Sequence, residues 1–407
     1  EFADMTWAWS IGFSYCLLIL MATPALGDTS EWSGRVALEP RIFFEDPVFE
    51  EQPDRGLSPS MVFVPELRTE WNDGNDRFTL VGFLRYDQDD ENRSHADIRE
   101  ANWQHFQGPW SVLAGVGKVF WGVTESRHLV DIINQTDLVE DIDEEQKLGQ
   151  PMLQLEHWRE SGTIAVFVMP GFRERTFPAA DARLRGPFPV DEDDAVYESG
   201  AEDNRTDLAV RWSNSVGDWD IGLAGFYGTG REPRLVPEFR NEEDIVLIPH
   251  YDVIEQFSID TQYTREAWLW KLEALARSGQ GDDFVALVGG LEYTIYGISD
   301  GPADFGLLAE YLYDDRDKTA PATVLEDDVF LGFRYTLNDV DDTNILAGAI
   351  IDIQDGESIS IVEAQRRIGE SLTLEAELRW FANISERGLL LGYENDSYLT
   401  LRVSWYF

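Results

Sequence analysis

Residues 397–407 read SYLTLRVSWYF, and apolar and polar side chains alternate along this stretch. One face of a strand with period two would carry Leu399, Leu401, Val403, Trp405 and Phe407, and the other would carry Tyr398, Thr400, Arg402, Ser404 and Tyr406. The apolar face is either the core side of a soluble β-sandwich or the lipid side of a membrane barrel. The rest of the sequence decides between these two interpretations.

The same alternation recurs along the chain and predicts eighteen strands. The predicted strands lie near 33–44, 59–71, 77–88, 94–106, 109–121, 150–159, 163–171, 204–214, 218–228, 250–263, 266–277, 284–297, 303–313, 327–337, 343–354, 357–367, 371–382 and 397–407. Sixteen strands are the alternative, if a pair around 94–121 or 343–367 does not form. In the segment 94–106, Ile98 and Phe106 share a face with Glu100 and Gln104, so a β-bulge is expected there.

The connections between these segments alternate between short and long. Short connections lie at 72–75, 107–108, 160–162, 215–217, 264–265, 299–301, 338–342 and 369–370, and longer ones at 45–58, 122–149, 172–203, 229–249, 314–326 and 383–396. A membrane barrel has tight turns at one end and long loops at the other, whereas a soluble sandwich has no reason to keep this alternation. We therefore expect an all-β fold, a transmembrane antiparallel up-and-down β-barrel in which the C-terminal aromatic strand closes on the N-terminal strand.

Tryptophans near the ends of the predicted strands fit the aromatic girdles that such barrels place at the membrane boundaries. They are Trp71, Trp110, Trp121, Trp219, Trp380 and Trp405. Together with the terminal strand, they resemble the outer-membrane β-barrels of Gram-negative bacteria, many of which end in an aromatic-rich strand with a terminal Phe. The resemblance is to the porin-like type, and no motif identifies a specific family.

This resemblance implies a location in the outer membrane, in contact with its lipid and lipopolysaccharide. It also implies that the barrel-assembly machinery recognises the C-terminal strand through Phe407. A homotrimer and a monomer both remain open.

The N-terminal region predicts export. An apolar run at 11–22 precedes the small-residue stretch Ala25-Leu26-Gly27, and it is too short to cross a bilayer of roughly 30 Å as a helix. We expect residues 1–27 to be a cleaved signal peptide, although no Lys or Arg precedes the run, and 28–407 to form the barrel. If Met5 is the natural start, residues 1–4 are not part of the signal. The single cysteine, Cys16, lies in the run, so the exported chain has no disulfide or thiol chemistry.

The chain is strongly acidic, with a net charge of −45, and its mean hydropathy is −0.29. A polyanion would be repelled, so nucleic acid is excluded as a partner. Adaptation to high salt is an alternative cause of this charge.

Positions on the inward face of the predicted barrel are rich in charge of both signs. The predicted pore-lining residues are Arg35, Glu39, Arg41, Glu66, Arg68, Glu70, Arg85, Lys271, Glu273, Glu375, Glu377, Arg379 and Arg402. Mixed charges could act as successive binding steps for polar solutes. Alternatively, Arg and Glu pair across neighbouring strands and hold the wall together.

The long connection 122–149 contains a run at 128–138 whose apolar spacing is compatible with a helix. An apolar stripe is poorly placed in solvent, so we expect this loop to fold into the barrel mouth, which resembles the infolded constriction loop of porins. Its acidic residues would then place negative charge at the narrowest point. The predicted constriction residues are Asp131, Asp137, Glu140, Asp141 and Asp143, followed by Glu144 and Glu145.

These observations predict a channel for the passive or substrate-selective diffusion of small hydrophilic or charged solutes. The alternative is an outer-membrane barrel with a blocked lumen, whose acidic loops bind a partner or divalent ions. A secreted soluble β-protein is a further rival. The five histidines show no metal-ligand spacing and no nucleophile motif is present, so we predict no enzyme activity, no metal and no cofactor.

Overall fold

The computed structural model describes residues 29–241, 245–385 and 388–407. The predicted signal peptide lies outside these residues. The strands are β1 (Thr29–Leu38), β2 (Arg41–Phe43), β3 (Leu57–Ser58), β4 (Ser60–Trp71), β5 (Asp76–Asp87), β6 (Ala96–Gln107), β7 (Trp110–Gly117), β8 (Gln150–Arg159), β9 (Gly162–Pro170), β10 (Val196–Tyr197), β11 (Thr206–Val216), β12 (Trp219–Thr229), β13 (Arg234–Phe239), β14 (Ile245–Tyr251), β15 (Val253–Arg265), β16 (Trp268–Ser278), β17 (Phe284–Ile295), β18 (Asp304–Asp314), β19 (Asp327–Thr336), β20 (Asn344–Asp352), β21 (Ser358–Ile368), β22 (Leu372–Ala382) and β23 (Tyr398–Tyr406).

Twenty of these strands form one antiparallel sheet, which closes where β23 pairs with β1 and β2. β1 and β2 are two parts of one wall strand interrupted before Arg41, and β3 and β4 are two parts of the next. Pro40 and Pro59 lie at these two interruptions, where a residue without an N–H cannot donate to the sheet. The wall therefore has eighteen strands, which confirms the predicted all-β barrel, its strand number and its closure.

The expected bulge lies in β6. Val81 on β5 faces Glu100, but its neighbour Gly82 faces Ile98, so Arg99 is an extra residue in the ladder. The bulge turns the Arg99 side chain toward the interior, where it contacts Asp137.

Aromatic side chains follow the two rims of the barrel exterior. Trp110, Trp219 and Trp405 are exposed at the end with short turns, and Trp380 is exposed near the end with long loops. Trp121 does not belong to these girdles, contrary to the prediction from its position. It is 4% exposed inside the barrel, because the chain leaves the wall at the end of β7.

The long connections are folded over one end of the barrel, where β10, β14 and β13 form a separate small sheet. The run at 128–138 forms no helix, contrary to its apolar spacing. Helical segments in the described ranges are short 3₁₀ turns at Glu202–Asn204, Ile298–Asp300 and Leu389–Tyr393. In the same ranges, no helix is long and apolar enough to cross a membrane.

Candidate functional site

The connection between β7 and β8, residues 118–149, runs through the barrel interior, and we call it the strap. Its glycine at 122 has a φ of 152°, and a Cβ there would lie 2.9 Å from Nδ1 of His128 and 3.1 Å from Oε1 of Glu273. A larger residue would therefore collide where the strap approaches β16. The Trp-Gly pair at 121–122 reflects this close approach.

The first part of the strap is anchored by Glu273 on β16. One oxygen of this carboxylate accepts hydrogen bonds from the backbone N–H groups of Val123 (2.6 Å) and Thr124 (3.0 Å). The same oxygen accepts from Oγ1 of Thr124 at 2.7 Å, and the other accepts from the N–H of Val130 at 3.2 Å. Because Glu273 is fully buried, these strap groups replace the water that a carboxylate would otherwise bind.

Glu310 on β18 provides a second anchor of the same kind. Its carboxylate accepts hydrogen bonds from the backbone N–H groups of Glu125 and Ser126, both at 2.8 Å. The Glu125 carboxylate then reaches Arg334 on β19 at 2.8 Å and Lys271 on β16 at 3.5 Å. The strap thus spans the interior from β7 to β19.

Apolar strap residues fill the space between these anchors. Trp121, Ile132 and Ile133 are buried in a cluster with inward residues of β8, β9, β11, β12 and β15. Leu129 belongs to a second cluster with residues of β16 to β20. Hydrophobic burial and carboxylate anchors therefore act together to hold the strap inside the barrel.

The second part of the strap is held by wall arginines on the opposite side. Glu140 contacts Arg85 on β5 at 2.6 Å, and Asp137 forms an ion pair with the bulge residue Arg99. These interactions neutralise two of the predicted constriction acids.

The other three predicted constriction acids are also paired. Asp143 lies 2.7 Å and Asp141 lies 3.9 Å from Arg379 on β22. Asp131 accepts from the N–H of Trp121 at 3.3 Å and lies 3.7 Å from Lys147. All five acids therefore form ion pairs that hold the strap in place. A role in narrowing a water path stays a prediction.

Comparison with known proteins gives a result at the level of structure. No protein-family model matches the sequence, and no curated protein matches it. Acinetobacter baumannii OccAB3 is 9% identical, with a TM-score of 0.54 over 93% of this chain and 99% of that one. A BenF-like porin from Pseudomonas fluorescens Pf-5 is 10% identical, with a TM-score of 0.53 over 94% and 98%. Pseudomonas aeruginosa OccK3 (OpdO) is 10% identical, with a TM-score of 0.53 over 93% and 96%.

The chain has the fold of the porin-type outer-membrane barrels. At these identities the similarity concerns the fold, and it extends over nearly the whole length of both chains.

Five of the predicted pore-lining residues of this porin-type barrel are buried beneath the strap and the loops. They are Glu39, Arg41, Arg85, Glu273 and Arg379. Glu39 lies 2.9 Å from both Arg85 and Arg402, and Arg41 donates to the backbone oxygen of Glu140 at 3.0 Å. These contacts match the alternative interpretation, in which charged side chains hold the wall together.

The other predicted lining residues are less buried. They are Arg35, Glu66, Arg68, Glu70, Lys271, Glu375, Glu377 and Arg402. Near the short-turn end, the Arg68 side chain is 62% exposed and lies 3.5 Å from Glu66, and Arg77 contacts Glu70 at 2.8 Å. Glu375 is paired with Arg402 at 2.6 Å. Solvent therefore reaches charged side chains at this end.

An acidic rim lies where the strap faces β21 and β22, and we define it as Glu145, Glu363 and Glu377. Glu363 is in the middle of β21, directly opposite Glu377 on β22, and its side chain is 45% exposed. Glu145 is 58% exposed and close enough to interact electrostatically with Glu363. Arg379 lies 3.4 Å from Glu363 and 2.8 Å from Glu377 and also contacts Asp141 and Asp143 of the strap, so one guanidinium is shared among four carboxylates. The nearest basic side chain to Glu145 is His128, at 3.7 Å.

Glu363 was missed by the sequence reasoning, although Glu145 belonged to the predicted acidic run. The alternation in 357–367 would have placed Glu363 on the inward face, since it is in phase with Gln365 and Ile361. Its exposure depends on the path of the strap, for which the sequence has no local signal.

His95, Asp137 and Glu140 form the one group in the described part of the chain whose possible metal-ligating atoms all lie within 4.8 Å of one another. Arg85 donates to both oxygens of Glu140, at 2.8 and 3.0 Å, and Arg99 donates to Asp137. These guanidinium groups already neutralise the carboxylates, so the donor set fits an ion-pair network better than a divalent cation.

The loop between β9 and β11 packs over the end of the barrel where the long connections lie. Arg183 forms a 2.6 Å ion pair with the buried Asp396. Glu192 accepts a hydrogen bond from the N–H of Phe177 at 2.9 Å, and burial raises the pKa of Glu192 to about 7. Basic and acidic side chains of this loop therefore both make contacts that hold it in place.

Proposed function

We propose that the chain is an outer-membrane channel for small hydrophilic solutes and that it prefers cations. The observation that carries this proposal is the partial exposure of Glu363 in the middle of an inward-facing strand surface. Glu363 shares Arg379 with three other carboxylates, those of Glu377, Asp141 and Asp143, so water in the interior would be needed to solvate its charge. The porin-type fold supports a location in the outer membrane of a Gram-negative bacterium.

The acidic rim would act as the selective step. Its carboxylates would replace part of the hydration shell of an incoming cation, while Arg379 keeps the local negative charge low enough for the ion to leave. Charged pairs at the short-turn end would keep that mouth wet and favour neither sign strongly. Passage without tight binding would follow from this arrangement.

The proposal is tested by single-channel recording of the refolded protein in planar bilayers. We expect stepwise conductance and a reversal potential of cation-selective sign in a KCl gradient. The double substitution Glu145→Gln and Glu363→Gln should move the reversal potential toward zero. Glu255→Gln is a matched control, because Glu255 is exposed on the outward face beside Phe257.

A blocked barrel is the second candidate, because the strap contacts wall strands on opposite sides, from β5 and β22 to β16 and β18. In that case the loops would bind a partner or divalent ions. Absence of current from protein that is folded and inserted would reject the channel and favour this candidate.

A further inference from the structure

Three adjacent strands of the interior wall carry aromatic and amide side chains that take no part in fastening the strap. On the inward face, Phe106 of β6 and Trp158 of β8 lie nearly parallel near the short-turn end, with ring centroids 6.3 Å apart and an interplanar angle of 13°. Trp158 is 37% exposed, so its ring is accessible from the interior.

The next inward rung toward the strap combines two amides with an apolar side chain. Leu113 on β7 is directly opposite Gln104 on β6 and Gln154 on β8. The Gln154 amide donates to Glu156 at 2.7 Å, which leaves its oxygen able to accept. Among the described residues, the Gln104 side chain has no hydrogen-bond partner.

The strap provides an aromatic group at the other end of this wall. Phe120 follows the end of β7 by three residues and is 60% exposed, although it lies on the segment that crosses the interior. Its ring packs edge-to-face against His128 at 4.8 Å, which fixes its position. At about 3.3 Å per residue, the inward positions from Ser111 to Gly117 span roughly 20 Å between the two aromatic ends.

We propose that this surface, the aromatic track of Phe106, Trp158, Gln104, Leu113, Gln154 and Phe120, binds neutral sugars as they pass through the channel. The inference rests on the proposed channel function and names a solute class for it. A sugar ring presents an apolar C–H face that packs on an aromatic ring and hydroxyl groups that both donate and accept hydrogen bonds.

Charge of both signs near the track favours a neutral solute over an ion. Glu100 and Glu156 face inward beside it, and Lys118 and Arg77 are the nearby cations, with the Arg77 guanidinium 5.9 Å from the centroid of the Phe106 ring. An anionic solute would therefore gain no net attraction along this wall. A cation would interact with the carboxylates but would leave the amides and the apolar faces of the rings unused.

Sugar-induced interruption of the ion current tests the track. With maltotriose as the probe, we expect the wild-type channel to show block that saturates with concentration. Trp158→Ala should weaken this block about fivefold to tenfold, because one stacking contact is lost, and Trp158→Phe should retain most of it. Trp110→Ala is the matched control, since Trp110 is exposed on the outward face of the adjacent strand.

The outcomes separate the two proposals. A wild-type channel that conducts ions without sugar block, or an equal loss of block in Trp158→Ala and Trp110→Ala, would overturn the track and leave the channel in place. Stronger block by benzoate or by spermidine than by maltotriose would also overturn it. Absence of any current would reject the channel itself. Heat-modifiable gel migration identifies the variants that have folded.

Discussion

Removing the Glu273 carboxylate should release the first part of the strap. This buried group accepts four hydrogen bonds, three from backbone N–H groups and one from the Thr124 hydroxyl. In Glu273→Gln, the carbonyl oxygen still accepts, but the bonds lose their charge assistance and the NH₂ group faces the N–H of Val130. At roughly 1 kcal/mol lost per bond, the strap would lose about 4 kcal/mol of local stability.

A loss of about 4 kcal/mol corresponds to roughly a thousandfold rise in the open population of the strap. Hydrogen exchange at Val123, Thr124 and Val130 should therefore accelerate by a similar factor, and single-channel conductance should rise. Glu255→Gln is the control, because Glu255 is exposed on the outward face of β15 and, among the described residues, makes no contact with the strap. Unchanged exchange and unchanged conductance in Glu273→Gln would refute the anchoring role of this carboxylate.

Three further predictions follow from other contacts. Trp121→Ala should lower the free energy of unfolding of the barrel by about 3–5 kcal/mol, because the buried ring packs against inward β-strand residues. The temperature at which heat-modifiable migration is lost should then fall, and an unchanged temperature would contradict this core role. Arg379→Gln should make the channel more cation-selective by freeing Asp143 and the acidic rim, and an unaltered reversal potential would count against it. Burial raises the pKa of Glu192 to about 7. The loop is therefore most stable below about pH 4.5, where this carboxyl is neutral in both the folded and the unfolded loop. That stability is lost as the pH rises through 7. Hydrogen exchange of 172–203, corrected for intrinsic rates, should be slower at pH 5 than at pH 8, and the difference should vanish in Glu192→Gln; the same difference in the variant would exclude Glu192 as its source.

The barrel wall could be predicted because its signals are local. Period-two alternation and turn residues indicate where each strand lies, and the terminal stretch 397–407 indicates how the sheet closes. The bulge could also be predicted. In an unbroken strand Ile98 and Glu100 lie on the same face, so the apolar side chain could not face outward while the charged one faces the interior.

The apolar spacing in 128–138 predicted that the loop folds inward, but the path of the strap across the interior could not be predicted, because its anchors are distant in sequence. Glu273 accepts hydrogen bonds from backbone N–H groups that precede it by about 150 residues. Nearly every residue type has such a group, so the sequence does not indicate which ones bind this carboxylate. Alternation indicated that Glu273 and Arg85 face inward but not that the strap would cover them. The aromatic track was missed for a related reason, since Phe106 and Trp158 meet only when β6 and β8 flank β7.

Ion flow past the strap is the central claim, and the reversal potential of single channels in a KCl gradient tests it most directly. We predict measurable conductance of cation-selective sign for the wild-type barrel and a larger conductance for a folded variant that lacks residues 126–146. Wild-type barrels that are folded and inserted but carry no current would contradict the account.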